Sequence, residues 1–518
     1  MSNTERLDQP LEYSVPDVVT TEVVVPTCDQ RLYNYDIAPS KREGRTWSGY
    51  NIFTLWANDV HSLGNYTFAI GLFALGLGGW QILLAMGFGS LFLLVLLTIS
   101  GFVGYKVGVP FPVMSRISFG VRGAHIPALF RGGVAIAWFG IQTYLASLVC
   151  NILVLALFPG AKTLTEHKLL GLNQLGWICF AVLWVIQVII ACYGIEMVRK
   201  FEAYSGPIIL VTFLLMAIAV VIQAKGHITW EPKATLDGKP WALHGWDMWH
   251  EILAGASGWV AIYGTFVLNF CDFTRGAKSK RSVVLGNVAG IPVNMLFFGC
   301  IVLLLAGGRF TVDGHVIAGP EDVVQTFATP FLVLACLALV VLTIGVNLMA
   351  NFVAPAYALT NLSPKKLNFR KAAIISGVIG FVILPWNLYN SPTVINYFLG
   401  GLGAVLGPLF GIVMADYWVL RKQKVNIPDL YTFDPEGDYF YSKGVNKRAV
   451  IALVPSALIS IAFAFSGQIH ELRALSTYGP FSWFIAAGLA FVLYLIVADR
   501  SRTFRDVDGE AIAVQAHH

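Results

Sequence analysis

The stretch LWANDVHSLGNYTFAIGL, Leu55–Leu72, decides the fold. Its flanks read as apolar helix, yet Asn58, Asp59, His61, Ser62, Gly64 and Asn65 crowd its middle. In hydrocarbon every backbone polar group needs an internal partner. A polar break at membrane depth is therefore tolerated only where the chain is buried in protein or lines a cavity. Composition says that the segment does span a membrane. Of 518 residues, 56% are hydrophobic and 13% charged, against about 25% charged in soluble domains. The chain reads as an all-α polytopic membrane protein. Its net charge of +5 fits basic loops better than nucleic-acid binding. The seven cysteines stand singly, mostly in apolar runs, so neither a disulfide framework nor a zinc site is signalled.

Apolar segments of about 20 residues count as spans. The sequence predicts about twelve, over 49–75, 79–104, 126–158, 173–194, 205–225, 249–271, 282–307, 329–359, 371–387, 392–418, 447–467 and 480–498. Basic residues crowd alternate loops, which predicts a cell-membrane protein with both termini in the cytoplasm. Residues 1–44 read as a flexible cytoplasmic tail with no secretory signal. Residues 45–225 read as a first five-span repeat, 226–420 as a second, 421–498 as two additional spans and 499–518 as a cytoplasmic tail.

A second polar passage, EILAGASGWVAIYGTFVL (Glu251–Leu268), sets Gly255, Ser257 and Gly258 before Trp259. Interruptions in the first span of each five-span half point to an inverted-repeat transporter with its site at the breaks. The competing reading is that Gly255 and Gly258 only permit close helix packing.

Two further spans carry amides. In WFGIQTYLA (Trp138–Ala146), Trp138 and Gln142 are four apart and share a helix face. In LVVLTIGVNLMANFVAPAYAL (Leu339–Leu359), Asn347 and Asn351 do the same, and Pro355 is expected to interrupt the helix beyond them. Each amide reads either as a ligand contact or as an interhelical bond worth about 1 kcal/mol. Together the residues suggest more. Two indoles, Trp138 and Trp259, can sandwich a flat ring. Two carboxamides match the N–H and C=O edge of a cyclic amide or imide. No Lys or Arg lies mid-span to balance an anionic ligand. The implied ligand is neutral, planar and heterocyclic.

These residues resemble the nucleobase–cation symport family, carriers of nucleobases, hydantoins and allantoin. The similarity runs from about Arg45 to the last span. It rests on RTW (Arg45–Trp47), GWQ (Gly79–Gln81), PFPVMSRISFGVRGAHIPAL (Pro110–Leu129), WFGIQT (Trp138–Thr143), ANFVAPAY (Ala350–Tyr357) and LGPLFGIVMADYW (Leu406–Trp418). The resemblance implies a LeuT-type five-plus-five inverted repeat with two additional C-terminal spans. It places the stacking tryptophans on Trp138 and Trp259 and the binding amides on Gln142 and Asn351. A further contact, amide-bearing in several members, falls on Ser62. Gly258 lies beside the site, and Leu399 matches a thin gate.

The resemblance also indicates where sodium-dependent members hold their ion. Those positions match Asn58 and His61 in span 1 and Leu342, Gly345 and Val346 in span 8. A dehydrated cation needs oxygens in place of its water shell, and neither Gly345 nor Val346 has a side-chain oxygen. Unless Asn58, Asn347 or Thr343 compensates, proton coupling is favoured over sodium. Asp59 and His61 are titratable candidates for a relay, the competing reading being that they cap broken helix ends.

Other charges read as structural. Arg131 is expected to snorkel to the cytoplasmic interface, and Asp272 and Asp416 to pair near basic loops. His227, His244, His250, His315 and His470 lack metal-ligand spacing. No nucleophile–base pair supports an enzyme. The expectation is a secondary transporter that takes a small-molecule heterocycle by alternating access, with membrane lipid around it. No cofactor, metal, nucleic acid or obligate protein partner is expected. Uracil or a related pyrimidine is favoured because two indoles suit a flat ring, with allantoin or hydantoin as the alternative.

Overall fold

A computed structural model describes residues 28–232, 243–389 and 392–514, excluding the side chains of 392–400, 402 and 403. The first span is two helices, α1 (Gly49–Val60) and α2 (Leu63–Ala74). Ser48 and Asn51 close a capping box at the start of α1, which satisfies donors that the first turn leaves open. The chain leaves helical geometry at His61–Ser62, and the Ser62 hydroxyl caps α2 by accepting from Asn65 N. The break takes the carbonyls of Asp59 and Val60 out of the regular helical ladder, Asp59 keeping a turn bond from Ser62 N at 3.1 Å. Asn65 Nδ2 donates to them at 2.9 and 3.2 Å. The polar cluster thus supplies the partners that the interruption needs.

The following helices are α3 (Gly79–Val107), α4 (His125–Leu157), α5 (Gln174–Ala191), α6 (Ile195–Gln223), α7 (Gly245–Asn269), α8 (Lys280–Asp313), α9 (Thr329–Leu362), α10 (Phe369–Val382), α11 (Pro392–Met414), α12 (Lys447–Ala464) and α13 (Ser482–Val497). Among the described residues, nine helices are long and apolar enough to cross a membrane, the last counted with the turns from His470. The three other expected spans fall on the α1–α2 pair, on the 14-residue α10 and on α11. The two strands, Lys168–Leu169 and Leu172–Asn173, form a small antiparallel hairpin in the α4–α5 loop. Leu170 and Gly171 turn it with positive φ.

Four expectations are corrected. α7 is continuous through Gly255, Ser257 and Gly258, so these glycines do not break it. A Cβ at Gly258 would lie 2.6 Å from Phe68 Cζ, and one at Gly255 would lie 3.3 Å from Ala85 Cβ. They serve close packing. Pro355 does not interrupt α9. Its missing N–H is absorbed by a widened π turn over Asn347–Phe352, after which the helix resumes. α6 begins at Ile195, well before the expected 205, so Glu202 lies inside the helix. Finally, Leu32, Ile37 and Ala38 are buried, so residues 28–44 are packed onto the core rather than forming a free tail. Residues 1–27 lie outside the described residues.

The two ends of the described residues meet on one face. Ser40 and Val514 form a parallel bridge. Asn34 Nδ2 reaches the carbonyls of Pro364 and Leu367.

Candidate binding site

The break between α1 and α2 faces a cavity of about 130 Å³. Asp59, Ser62, Gly64, Asn65 and Phe68 line it from the broken span, and Trp138 and Gln142 from α4. Ile262, Thr265 and Phe266 line it from α7, and Val346, Ala350 and Asn351 from α9. Four separate stretches of sequence thus converge on one hollow, far smaller than the roughly 300–1,000 Å³ of drug-sized pockets.

Gln142 is only 6% exposed, and its Oε1 is buried without a hydrogen-bond partner. Leaving such an acceptor unsatisfied costs about 1–3 kcal/mol. Asn351 is anchored from behind. Its Nδ2 donates to Asn347 Oδ1 at 2.8 Å, and Asn347 Nδ2 donates to Gln187 Oε1 at 2.7 Å and Thr143 Oγ1 at 3.1 Å. The bond to Asn347 uses one of the two N–H groups of the Asn351 amide and holds the residue on the cavity wall. Arg131 supports the same wall. It does not snorkel: it is 1% exposed, donates to Asn269 Oδ1 and caps the Ala350 carbonyl, each at 3.0 Å. That carbonyl sits in the π turn, where the regular ladder is disturbed.

Trp138 and Ser62 line the cavity as expected. Trp259 and Gly258 do not. The Trp259 indole is fully buried behind Phe68, edge to face at 4.9 Å and 85°, and its Nε1 has no partner. A sandwich of two indoles is absent from this arrangement, and Phe68 takes the second aromatic wall. Sequence reasoning missed Phe68, although its i+3 spacing from Asn65 puts both on one face of α2. Ile262, Thr265 and Phe266 likewise form one stripe of α7. The side chain of Leu399 lies outside the described residues.

Of the ion-site positions, only Val346 lines the cavity. Leu342 is buried in the core. The Asn58 amide donates to the Thr54 and Glu202 carbonyls at 2.8 and 3.2 Å. Thr343 bonds back to the Leu339 carbonyl. Asn347 is committed to its amide network. Asn58 Oδ1 accepts from Ser205 and Asn347 Oδ1 from Asn351, so the two amide oxygens that could replace missing hydroxyls already have donors, while the Thr343 hydroxyl keeps its lone pairs. His61 is not at the cavity. It ends α1, stacks on Phe213 and sits 3.0 Å from the Tyr66 hydroxyl and 3.3 Å from Asn294 Oδ1. Asp59 does line the cavity, with the Tyr263 phenol against it. Asp416 pairs with Arg421 at 3.1 Å. Asp272 instead accepts from Phe111 N and Asn269 Nδ2. Among the described residues, no three His, Cys, Asp or Glu side chains gather as a metal centre would require.

Comparison with known proteins gives this hollow its setting. Residues 39–486 match the family described as permeases for cytosine/purines, uracil, thiamine and allantoin. The allantoin permease of Bacillus subtilis (strain 168) is 34% identical over 90% of this chain and 93% of its own length. A purine-uracil permease of Arabidopsis thaliana is 34% identical over 92% of this chain and 79% of its own. A nucleobase-cation-symport-1 family transporter, solved closed with bromovinylhydantoin bound, superposes with a TM-score of 0.72. It shares 21% identity and covers 90% of this chain and 95% of that one. The fold is LeuT-type, and the chain belongs to the cytosine/purine, uracil, thiamine and allantoin permease family of multi-pass membrane transporters.

Proposed function

We propose that this protein imports a neutral cyclic ureide, a ring whose CO–NH–CO edge is read by Gln142 and Asn351 while its face lies on Trp138. The observation that carries this reading is Gln142 on the cavity wall, with its Oε1 buried and unpartnered. A ligand N–H would recover the about 1–3 kcal/mol that the bare acceptor costs. The Asn351 amide, held from behind by Asn347, would donate its remaining N–H to an adjacent ring C=O, and preorganisation lowers the entropy lost on binding.

Allantoin is placed first. The case for uracil rested on two indoles holding a flat ring, and Trp259 stands behind Phe68 instead. The hollow is also polar beyond its two amides. Asp59, Ser62, Asn65 and Thr265 line it, and a ureido side chain would use those partners. The relative named an allantoin permease supports this order. Uracil is the second reading, supported by the small hollow and by the relative named a purine-uracil permease.

Transport proceeds by alternating access across a cell membrane, with both termini cytoplasmic and proton coupling favoured over sodium. The donors already held by the Asn58 and Asn347 amide oxygens support that choice of ion. The deciding experiment is uptake of labelled allantoin and labelled uracil by cells expressing the full chain. Unlabelled hydantoin, cytosine and uric acid serve as competitors, with and without sodium and a protonophore. Saturable allantoin uptake that hydantoin competes with supports the reading. Uptake of uracil alone reverses the order, and uptake of neither overturns the reading.

A further inference from the structure

Glu202 does not line the cavity, and its carboxyl group has no hydrogen-bond partner. It is fully buried on α6, and neither Oε1 nor Oε2 has a hydrogen bond. Its neighbours come from two other helices. Asn58 Nδ2 of α1 holds the Glu202 carbonyl at 3.2 Å, and Ser205 Oγ donates to Asn58 Oδ1 at 2.7 Å. On the α9 side stands Gly345. A Cβ built there would lie 2.9 Å from Asn58 Oδ1 and 3.3 Å from Glu202 Oε1. The absence of a side chain at Gly345 is what lets the carboxyl group lie against the α9 backbone.

We propose that Glu202, framed by Asn58, Ser205 and Gly345, is a proton-binding site that couples proton entry to substrate movement. The inference deepens the transport reading and rests on it. An ionised carboxylate without a partner in this packing carries a large desolvation cost, and a bound proton removes most of it. The α1–α6–α9 contact seen here therefore tolerates the neutral acid. Loss of the proton favours a state in which α9 and α6 part and water reaches the group. Val346, next in chain to Gly345, lines the substrate cavity, as does Asp59 next to Asn58. Proton and substrate thus act on the same two segments, and coupling between them is reciprocal.

Few titratable groups stand near Glu202. On α1, Asp59 is the neighbouring acid, lining the cavity with the Tyr263 phenol against it, and on α6 Arg199 is paired with Glu196. His61 has both ring nitrogens engaged. α5 and α9 carry no Asp, Glu, Lys or Arg, and on α8 Arg309 is paired with Asp313.

The test uses the full chain in sodium-free liposomes. Labelled allantoin is followed in two arms, accumulation driven by an inward proton gradient and counterflow exchange without one. Labelled uracil is run in parallel, so that a wrong ligand is distinguished from a wrong site. For Glu202→Gln, the ratio of accumulation to exchange is expected to fall about tenfold, and the pH profile of uptake to flatten. Gly345→Ala crowds the carboxyl without removing it and is expected to shift that profile instead. Gradient-driven accumulation by Glu202→Gln equal to wild type overturns the proposal. So does wild-type exchange of substrate with no accumulation in response to the proton gradient, which leaves the substrate reading standing. Failure of both ligands in both arms overturns the transport reading as well.

Discussion

Asn351 Nδ2 donates to Asn347 Oδ1 at 2.8 Å within the π turn of α9, and Asn347 in turn donates to Gln187 Oε1 of α5. The pairing places a cavity-lining amide at the end of a buried chain whose members touch no ligand. Asn347→Ala is expected to raise the KM for uptake about tenfold, since losing one partner of a buried bond costs about 1–3 kcal/mol. The maximal rate is expected to change less. Initial-rate kinetics over a range of substrate concentrations check this, and an unchanged KM would remove Asn347 from its positioning role.

Gln142→Met tests the bare acceptor by separating function from stability. The substitution keeps the volume and deletes a buried oxygen that has no partner. Thermal stability of the purified protein is expected to rise by a few degrees, while uptake falls at least about tenfold. A variant that loses stability as well would mean that the amide holds helices together rather than ligand.

Trp138→Ala removes the ring that lines the cavity from α4. Stacking on an aromatic face contributes about 1–3 kcal/mol, so substrate affinity is expected to fall by about 5- to 150-fold. Trp138→Phe should restore most of it. Binding isotherms on the purified transporter check both.

Phe68→Ala uncovers Trp259. The Phe68 ring stands between that indole and the hollow, so its removal enlarges the cavity and presents the Trp259 face. The variant is expected to gain inhibition by hydantoins carrying a bulky 5-substituent relative to hydantoin itself, read by competition against labelled allantoin. An unchanged inhibitor order would mean that Phe68 does not limit ligand size.

Truncation after Phe504 removes the segment that joins the chain ends. Val507 exchanges backbone bonds with Val425 and Ile427, Val514 with Pro39 and Lys41, and Ile512 accepts from the Tyr33 hydroxyl. At about 1 kcal/mol net for each bond, the loss amounts to several kcal/mol. The thermal midpoint is expected to drop by about 5 °C or more. Fluorescence-detected size-exclusion after heating measures it.

Much of the fold was legible because hydrocarbon is an exacting solvent. Asn58, Asp59, His61, Ser62, Gly64 and Asn65 in the middle of Leu55–Leu72 have few tolerable arrangements, and the broken α1–α2 pair is one of them. The same argument misread α7. Gly255 and Gly258 signal a break and a close approach equally well, and Phe68, distant in sequence, decided for packing. Trp138, Gln142 and Asn351 were legible as polar or indole positions on helical faces. Phe68 was not, because an aromatic in an apolar span carries no mark of its own. Arg131 and Glu202 were obscured by their surroundings. Arg131 sits at a helix start where snorkelling is ordinary. Glu202 follows Arg199 and Lys200 so closely that the segment reads as loop until α6 is seen to run through from Ile195.

By itself, then, the sequence determined the membrane class, the interruption in the first span, the motifs that carry the resemblance to its family and the helix faces on which the amides sit. These follow from local composition and spacing, which a chain carries wherever it folds. Only the tertiary structure decided which aromatic covers which, that Gln142 Oε1 is left without a donor, and that Glu202 lies bare against Gly345. Such relations join residues more than a hundred positions apart in several cases. They depend on how closely two backbones approach, and no single segment of sequence encodes that distance.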